Sequence, residues 1–426
     1  MKLLVVGGGG REHAIIKYLK KNPDVEKIFA LPGNGGIAQD AECVNIGAKD
    51  IQGIVDFAVK NGVDFAVIAP DDPLVLGAVD ALNAVGVPCF GPKKAAAAVE
   101  GSKVFAKELM KKYGIPTADF EVFDDAQKAV EYLSGCKYPA VVKADGLALG
   151  KGVIIPDNFE EAEAAIKTIM VDRAFGESGS RVVIEKCLFG PEVSVLAFTD
   201  GKTVVPMVSS MDHKRVLDGD KGPNTGGMGT VAPNPFYTEK IAAECMARIF
   251  LPTINALNEE GRTFTGCLYF GLMLTENGPM VIEYNCRFGD PETQVVLPLM
   301  ETDLLTAMLA TANGTLDKTP VRFKKGAACC VVLASKGYPG KYEKGIPIDI
   351  NGADQLPDVD VFHAGTALKD GGLITAGGRV LGATAAAGDL ASAVNKAYGA
   401  AERIRFDGAF CRKDIGGRAL SVLMKK

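Results

Sequence analysis

Short apolar runs that end in glycine-rich or proline-rich turns dominate the first third of the chain. Residues 2–6 (KLLVV) predict a strand ending at Gly7–Gly10, and residues 11–19 predict a helix with apolar side chains on one side. Further strands are predicted at 28–31 and 64–69, each followed by a turn containing Pro and Asp or Asn. This alternation predicts a parallel sheet with ligand loops at the carboxyl ends of its strands.

The rest of the chain predicts further helices and strands. Asp124 and Asp157 each stand three residues before a Gln or Glu, which is typical of capping boxes at helix starts. Residues 279–287 predict a strand, and residues 327–334 predict the first strand of the last hundred residues. A helix with an apolar stripe is expected at 389–404, with an aspartate as its N-cap.

Composition narrows the class of protein. A length of 426 residues predicts two to four domains, and 47 basic against 52 acidic residues argues against a dedicated nucleic-acid surface. No apolar run approaches the roughly 18 residues that span a bilayer, and the run before Gly7 is too short for a signal-peptide core. The ten cysteines form no C-x-x-C pair, so we expect buried, reduced thiols in a cytoplasmic protein. His13, His213 and His363 are too scattered to predict a zinc site.

The turn at Gly7–Gly10 is a candidate phosphate site. A glycine-rich turn between a strand and a helix can hold a phosphate at the helix N-terminus. The G-x-G-x-x-G spacing of dinucleotide-binding proteins fails, because Glu12 or His13 falls at the third glycine position. The second strand also lacks a following carboxylate for the ribose of NAD. A single phosphate therefore suits this turn better than a dinucleotide, and a plain tight turn is the alternative.

Residues 144–152 (ADGLALGKG) form a second candidate phosphate loop. Its glycines free the backbone to point N–H groups at a polyphosphate, and a lysine flanks each side. It is not a Walker A loop, because only three residues separate its first two glycines and a glycine follows its lysine. Residues 185–192 could then offer backbone groups to an adenine and the Glu192 carboxylate to a ribose. The alternatives are a flexible hairpin connection and an ordinary strand–turn–strand.

Residues 280–287 (MVIEYNCR) carry the strongest chemical signal. Alternate residues of a strand share a face, so one side presents Glu283, Asn285 and Arg287. The other side, expected in the core, carries Ile282, Tyr284 and Cys286. Two oxygen ligands suit Mg²⁺, and the guanidinium can hold a phosphoryl or carboxylate group. The alternative is an amphipathic strand whose polar face is only solvated.

Two further segments add charge. The turn after this strand, 288–292, contributes two carboxylates at Asp290 and Glu292. Residues 212–215 (DHKR) precede the glycine-rich loop 222–229, a combination that fits a site for phosphate and carboxylate groups together. A mobile charged surface loop is the alternative for this segment.

These strings resemble the phosphoribosylamine–glycine ligase family of the ATP-grasp superfamily, in the family's order over nearly the whole chain. The matching strings are VVGGGGREHA (5–14), LPGNGG (31–36), APDDPL (69–74), FGPKKAAA (90–97), EGSKVFAK (100–107), VKADGLALGKGV (142–153), DHKRVLDGDKGPNTGGMG (212–229), GCLYFGLM (266–273), VIEYNCRFGDPETQ (281–294), FHAGT (362–366), GGRVL (377–381) and FCRKDIGGRA (410–419).

The resemblance implies an α/β protein, α+β in parts, with an ATP-grasp fold. The implied domains are a Rossmann-like pre-ATP-grasp domain at 1–101, an ATP-grasp domain at 102–325 with a mobile small lobe at about 123–190, and a small C-terminal α/β domain at 326–426. The implied ligands are ATP, Mg²⁺ or Mn²⁺, glycine and 5-phosphoribosylamine. Neither nucleic acid nor a membrane is an expected partner, and a monomer is favoured.

The resemblance also implies roles for single residues. Metal would bind to Glu283 and Asn285. ATP would bind to Lys103, Lys143, Gly146, Gly150, Lys151, Gly152, Glu185, Lys186, Leu188 and Glu192. Phosphoribosylamine and the other substrate groups would contact Gly8, Gly9, Asn34, Asp71, Asp72, Asn224, Gly226 and Gly227. Catalysis would use Asp212, Lys214, Arg287 and Asp290.

Three departures and three alternatives accompany this prediction. One departure is Leu149, at a place in the phosphate loop that Ala often holds. Many family members carry Glu-Ala where this chain has Asp71-Asp72, so either aspartate could reach the sugar. Residues 268–274 lack the acidic metal ligand that many other ATP-grasp enzymes have on this strand. Alternative functions are another ATP-grasp ligase or carboxylase, a nicotinamide-dependent oxidoreductase, and a non-catalytic nucleotide-binding regulator.

Overall fold

The computed structural model describes residues 1–148 and 152–425. Its N-terminal part is a parallel sheet with the strand order β3-β2-β1-β4-β5. Its elements are β1 (Lys2–Gly7), α1 (Gly10–Leu19), β2 (Lys27–Pro32), β3 (Glu42–Cys43), α2 (Ile51–Asn61), β4 (Phe65–Ile68), α3 (Asp71–Leu76), α4 (Ala78–Ala84), β5 (Cys89–Phe90) and α5 (Lys94–Gly101). The predicted parallel sheet is confirmed.

The strand order brings three candidate ligand segments together at one edge of this sheet. The central strand β1 is apolar and completely buried at 3–6, as expected for a parallel strand covered on both faces. Because β1 pairs with β2 and β4, the turn after Gly7 lies between the turn at 33–36 and the start of α3. These are the three N-terminal segments that the sequence analysis selected.

A small antiparallel lobe follows, with the strand order β6-β9-β7-β8. Its elements, after α6 (Lys103–Tyr113), are β6 (Phe120–Phe123), α7 (Ala126–Ser134), β7 (Ala140–Ala144), β8 (Val153–Ile154), α8 (Phe159–Ile166) and β9 (Val182–Lys186). Asp125 and Asn158 cap α7 and α8 with hydrogen bonds of 2.9 Å. The predicted caps, Asp124 and Asp157, were therefore wrong by one residue.

The large lobe is built on the antiparallel sheet β11-β10-β16-β17. Its elements are β10 (Glu192–Thr199), β11 (Val204–Pro206), β12 (Met211–Asp212), β13 (Arg215–Leu217), β14 (Lys221–Asn224), β15 (Gly229–Ala232), α9 (Glu239–Cys245), α10 (Leu251–Glu259), β16 (Gly266–Thr275), β17 (Gly278–Asn285), α11 (Thr293–Val296) and α12 (Leu304–Ala312). Side chains of β10, β16, α9 and α10 pack with those of the N-terminal part in one apolar cluster.

The C-terminal sheet takes strands from two parts of the chain. Its own elements are β18 (Ala327–Ser335), β19 (Val359–His363), β20 (Thr366–Lys369), β21 (Gly372–Thr375), β22 (Arg379–Ala387), α13 (Leu390–Ala401), β23 (Ala409–Phe410) and α14 (Gly417–Leu423). The order is β12-β15-β18-β22-β19, with β23 on β18. Because β12 and β15 flank the loop at 213–228, this loop is fixed at both ends to the C-terminal sheet. No helix of the described residues is long and apolar enough to span a membrane.

The cap of α13 generates a stability prediction. Asp389 accepts a hydrogen bond from the backbone N–H of Ser392 at 2.9 Å at the start of this helix. Asp389→Ala should cost about 1 kcal/mol of local stability, so amides in the first turn of α13 should exchange about fivefold faster with solvent. Native-state hydrogen exchange measures this effect. Glu402→Ala, at the exposed end of the same helix, is the control, and equal exchange in both variants would contradict the assignment.

Candidate active site

A cleft of about 880 Å³ lies between the small lobe, the large lobe and the C-terminal sheet. Most of the predicted site residues line it, namely Asp71, Lys103, Lys143, Gly152, Glu185, Lys186, Leu188, Glu192, Asp212, Lys214, Asn224, Gly226, Glu283, Asn285, Arg287 and Asp290. Within the described part, the lining omits Gly8, Gly9, Asn34, Asp72, Gly146 and Gly227. Gly150 and Lys151 lie outside the described residues.

The polar face of β17 forms the floor of the cleft. Nδ2 of Asn285 donates to the carbonyl oxygen of Tyr284 at 2.7 Å, which leaves the side-chain oxygen of Asn285 available as a ligand. Together with the Glu283 carboxylate it supplies two hard oxygen donors, which fit Mg²⁺ when phosphate and water complete the shell. The described residues contain no group of three or more His, Cys, Asp and Glu that could hold a metal by themselves.

A β-bulge shapes this face. Ile282 is an extra residue in β17 opposite Gly271 and Leu272 of β16. The prediction that Ile282 faces the core was wrong, because the bulge interrupts the alternation and Ile282 instead lines the cleft. The other two predicted core residues of this strand are buried. The carbonyl oxygen of Ile282 accepts a hydrogen bond from Nζ of Lys143 at 2.9 Å, which ties the small lobe to the floor.

Three ammonium groups surround Glu283. Nζ of Lys214 lies 3.4 Å from its carboxylate. Burial raises the pKa of Glu283, but Lys214, Lys143 and Lys103 together hold the pKa below its ordinary value. The carboxylate is therefore ionised and competent to bind a metal, and the lysines place positive charge where an ATP phosphate tail would lie.

Two lysines share the carboxylate of Glu185. Nζ of Lys143 lies 2.8 Å and Nζ of Lys107 lies 3.3 Å from its oxygens, and all three side chains are almost completely buried. Lys107 also donates to Thr117 and to the carbonyl oxygen of Ala118. Since two cations occupy the carboxylate, we expect any contact of Glu185 with a nucleobase to use its backbone.

Two other predicted nucleotide-binding residues also lie beside lysines. The carbonyl oxygen of Gly146 accepts from Nζ of Lys103 at 2.6 Å. Gly146 has a φ of +115°, and a Cβ there would lie 2.6 Å from the hydroxyl of Ser178, so only glycine fits this turn. Glu192 is half exposed and lies 3.5 Å from Nζ of Lys214, with its carboxylate open to the cleft.

Arg287 is held by a carboxylate from the N-terminal part. Nη2 of Arg287 lies 2.9 Å from Oε1 of Glu100, whose second oxygen accepts from the backbone N–H of Cys286 at 2.6 Å. Glu100 is buried at the end of α5. The ion pair fixes the guanidinium at the end of the polar face of β17. Asp71 lines the cleft beside it.

The structure separates the roles of the two neighbouring aspartates. Asp71 lines the cleft, whereas Asp72 forms an ion pair with Lys49 at 2.8 Å on the surface. Burial raises the pKa of Asp71, but Arg287 and Arg11 together lower the pKa below its ordinary value. Asp71 is thus the better candidate for a contact with the sugar, and Asp72 for a surface role.

The side chain of Asn34 has no polar atom left for a ligand. Its Nδ2 donates to the carbonyl oxygens of Gly8 (3.0 Å), His363 (2.8 Å) and Ala364 (3.2 Å). Its Oδ1 accepts from two backbone N–H groups of the following turn at 2.9 Å. We therefore expect Asn34 to hold the Gly8 loop against the C-terminal part rather than to contact substrate. The adjacent N–H of Gly9 is also occupied, because it donates to Glu12 at 2.6 Å.

The glycine-rich loop and the turn after β17 meet at the other end of the cleft. Asp290 pairs with Arg379 at 3.0 Å. Asp212 packs against Gly227, where a Cβ would lie 2.6 Å from its carboxylate. Burial and the neighbouring Glu292 raise the pKa of Asp212 well above its ordinary value. This end of the cleft combines backbone groups, carboxylates and a guanidinium, which suits a small zwitterion.

Family models match nearly the whole chain. Models described as the N domain, the ATP-grasp (A) domain and the C domain of phosphoribosylglycinamide synthetase match residues 1–100, 101–293 and 328–418. The chain belongs to the phosphoribosylglycinamide synthetase family. Among similar proteins of this family, phosphoribosylamine–glycine ligase of Caldanaerobacter subterraneus subsp. tengcongensis is 48% identical over 97% of this chain and 99% of its own. The ligase of Clostridium acetobutylicum is 47% identical over 98% and 99%.

Solved structures agree with the family. The crystal structure of phosphoribosylamine–glycine ligase from Thermotoga maritima has a TM-score of 0.86 and 36% identity, covering 97% of this chain and 100% of that one. The biotin carboxylase domain of a Hydrogenobacter thermophilus 2-oxoglutarate carboxylase, in complex with MgADP and bicarbonate, has a TM-score of 0.76. Its identity of 18%, over 96% of this chain and 91% of its own, shows the shared fold alone. The predicted ATP-grasp fold is confirmed.

The site of this family member contains charged residues that sequence reasoning missed. Glu100, Lys107 and Arg379 line the cleft with Arg11. Each lies in one of the strings that carried the resemblance, and of the four only Arg11 has its ion-pair partner, Glu12, beside it in the sequence. A signal existed for Arg379, since it is the single charge in the string GGRVL and a buried charge needs a partner elsewhere.

The pKa of Lys107 generates a pH prediction. Burial lowers the pKa of Lys107 to about 8 despite the nearby Glu185. Above that pH the ammonium becomes neutral and leaves more of the Glu185 charge uncompensated, so affinity for a nonhydrolysable ATP analogue should fall as pH rises from 7 to 9. Lys107→Met should bind more weakly at pH 7 and show a shallower fall. Parallel calorimetric profiles for both proteins would contradict this prediction.

Arg287 should serve turnover more than nucleotide binding. Glu100 holds its guanidinium at the end of the polar face of β17 that is distant from the lysines around Glu283. We expect Arg287→Ala to reduce kcat by roughly 100-fold, as for loss of one charge-stabilising group, with an affinity for the ATP analogue within about threefold of wild type. Arg248→Ala, an exposed surface variant, is the control. Complete loss of nucleotide affinity would count against this role.

Proposed function

We propose that this chain ligates glycine to 5-phosphoribosylamine with ATP, giving glycinamide ribonucleotide, ADP and phosphate in purine biosynthesis. The proposal rests on one hydrogen bond between the small lobe and β17. Lys143, at the edge of the candidate phosphate loop, donates to the carbonyl oxygen of Ile282 in β17, the strand that carries Glu283 and Asn285. One cleft therefore holds the candidate phosphate loop and the candidate metal ligands of an ATP-dependent site. Its relatives are phosphoribosylamine–glycine ligases, and the proposed setting is the cytoplasm.

The first proposed step activates glycine. A carboxylate oxygen of glycine attacks the γ-phosphorus of ATP, the bond to the β-phosphate oxygen breaks, and ADP leaves. Carboxylate oxygen is a poor leaving group, and phosphorylation turns it into a good one. Lys143, Lys214 and Arg287 would offset the negative charge that develops during the transfer, while the loop and turn around Asp290 orient glycine.

The second proposed step forms the amide. The amine of phosphoribosylamine attacks the carbonyl carbon of glycyl phosphate, phosphate leaves, and the amine loses a proton. Asp71 would contact the sugar of phosphoribosylamine, and the Gly8–Gly9 turn at the start of α1 would hold its phosphate. The small lobe would keep water away from the acyl phosphate, since hydrolysis competes with the amine.

The donor set favours Mg²⁺ as the resident cation. The Glu283 carboxylate and the Asn285 side-chain oxygen are hard ligands, and Mn²⁺ would accept the same pair. When held by Glu283 and Asn285, the cation would supply positive charge that offsets the negative charge of the ATP phosphates. The MgADP complex of the related biotin carboxylase domain supports this assignment.

Two alternatives are less well supported. A carboxylase shares the fold, but the chain's likeness to carboxylase structures is 18% identity against 36% for the ligase structure. A nicotinamide-dependent oxidoreductase would be expected to carry the G-x-G-x-x-G spacing at the first turn, where this chain has Glu12 or His13 at the third glycine position.

An ADP-release assay with ATP, glycine and freshly prepared 5-phosphoribosylamine tests the function. Release should require both glycine and the amine. Glu283→Gln, which keeps the shape but removes the charge, should lower the rate at least about 100-fold with little change in Tm. Glu276→Gln, in the exposed turn before β17, is the control. Release that is independent of glycine, or a near wild-type rate for Glu283→Gln, would refute the assignment.

A further inference from the structure

Two C-terminal side chains hold the glycine-rich loop at Gly226. The N–H of Gly226 donates to the hydroxyl of Tyr338 at 3.1 Å. Its carbonyl oxygen accepts from Nη1 of Arg379. Both backbone polar groups of this predicted substrate-binding residue are therefore bonded to a part of the chain that holds no residue of the predicted site.

Arg379 also bonds the turn after β17. Nη1 lies 2.9 Å from the carbonyl oxygen of Asp290, and Nη2 lies 3.0 Å from its carboxylate. The planar guanidinium thus connects two separate segments, the loop at Gly226 and the turn at Asp290, with donors in one rigid group. Its side chain is only 20% exposed and lines the cleft.

The Gly226 loop packs closely against both Arg379 and the turn after β17. A Cβ at Gly226 would lie 2.9 Å from Cζ of Arg379, and a Cβ at Gly227 would lie 2.5 Å from Cδ of Pro291. The loop can approach the guanidinium and the turn this closely only because both positions are glycine. The spacing of loop and turn is consequently set by the arginine between them.

We propose that Arg379 is a positioning residue for the glycine-binding end of the site. It fixes the Gly226 loop relative to Asp290, and it does so from the C-terminal sheet rather than from the ATP-grasp lobes. This inference deepens the proposed function and rests on it. Without the guanidinium the loop and the turn would move independently, which weakens the hold on glycine. Nucleotide binding at Lys103 and Lys143 would be unaffected.

The test separates glycine from nucleotide. Arg379→Ala should raise the KM for glycine at least about tenfold, the expected effect of losing charge-assisted hydrogen bonds, with calorimetric affinity for the ATP analogue within about twofold of wild type. Arg379→Lys keeps the charge but cannot span both segments, so its KM should also rise. Millimolar guanidinium should restore part of the activity of Arg379→Ala and none of that of Arg379→Lys, whose ammonium still fills the position.

Tyr338→Phe supplies an independent variant, since it removes one hydroxyl from the same loop and should raise the KM for glycine by a smaller factor. Arg405→Gln, an exposed arginine of the C-terminal part, is the matched control. If wild type requires glycine but these variants keep its KM, the inference fails and the proposed function stands. If affinity for the nucleotide falls in step with that for glycine, Arg379 is merely structural. If wild type shows no glycine dependence, the proposed function fails first.

Discussion

Pairing of buried charges holds the cleft together. A cleft that binds ATP needs several cations, and burying an unpaired cation in protein is costly. The chain meets this constraint by giving these cations carboxylate partners. Glu185 pairs with Lys143 and Lys107, Glu100 pairs with Arg287, and Asp290 pairs with Arg379. The position of each cation therefore depends on a second chain segment, and the pairs connect all three parts of the molecule.

The C-terminal part acts on the site through loops that belong to other segments. The carbonyl oxygen of His363 accepts a hydrogen bond from the side-chain amide of Asn34, beside the Gly8 turn, and Arg379 holds the Gly226 loop. Arg412 is almost completely buried and bonds the carbonyl oxygen of Arg215 and the carboxylate of Asp220 in the β13–β14 hairpin. These contacts give physical roles to the strings FHAGT, GGRVL and FCRKDIGGRA, which the sequence analysis quoted without assigning residues.

Local patterns predicted those features that depend on neighbouring residues. The period of two placed Glu283 and Asn285 on one face, and strand–helix alternation predicted the parallel sheet. The bulge at Ile282 was missed because it depends on the pairing of β17 with β16. Ion pairs between distant residues could not be predicted from local patterns either, since 187 positions separate Glu100 from Arg287. The side-chain partners of Asn34 could not be predicted for the same reason, because they include a carbonyl oxygen 329 residues away.

The two ends of the cleft use different cations for a physical reason. Lysines gather near Glu283, where the phosphate tail would lie, and an ammonium on a flexible stem can follow a phosphoryl group as it moves during transfer. Arginines lie at the substrate end, where Glu100 and Asp290 hold their rigid forks in fixed directions. A small substrate such as glycine offers few contacts for orientation, so the protein itself must supply rigidity at that end. The two cations thus suit the two tasks of the proposed acyl-phosphate ligase. The lysines allow the phosphoryl group to move, and the arginines keep the carboxylate that receives it in place.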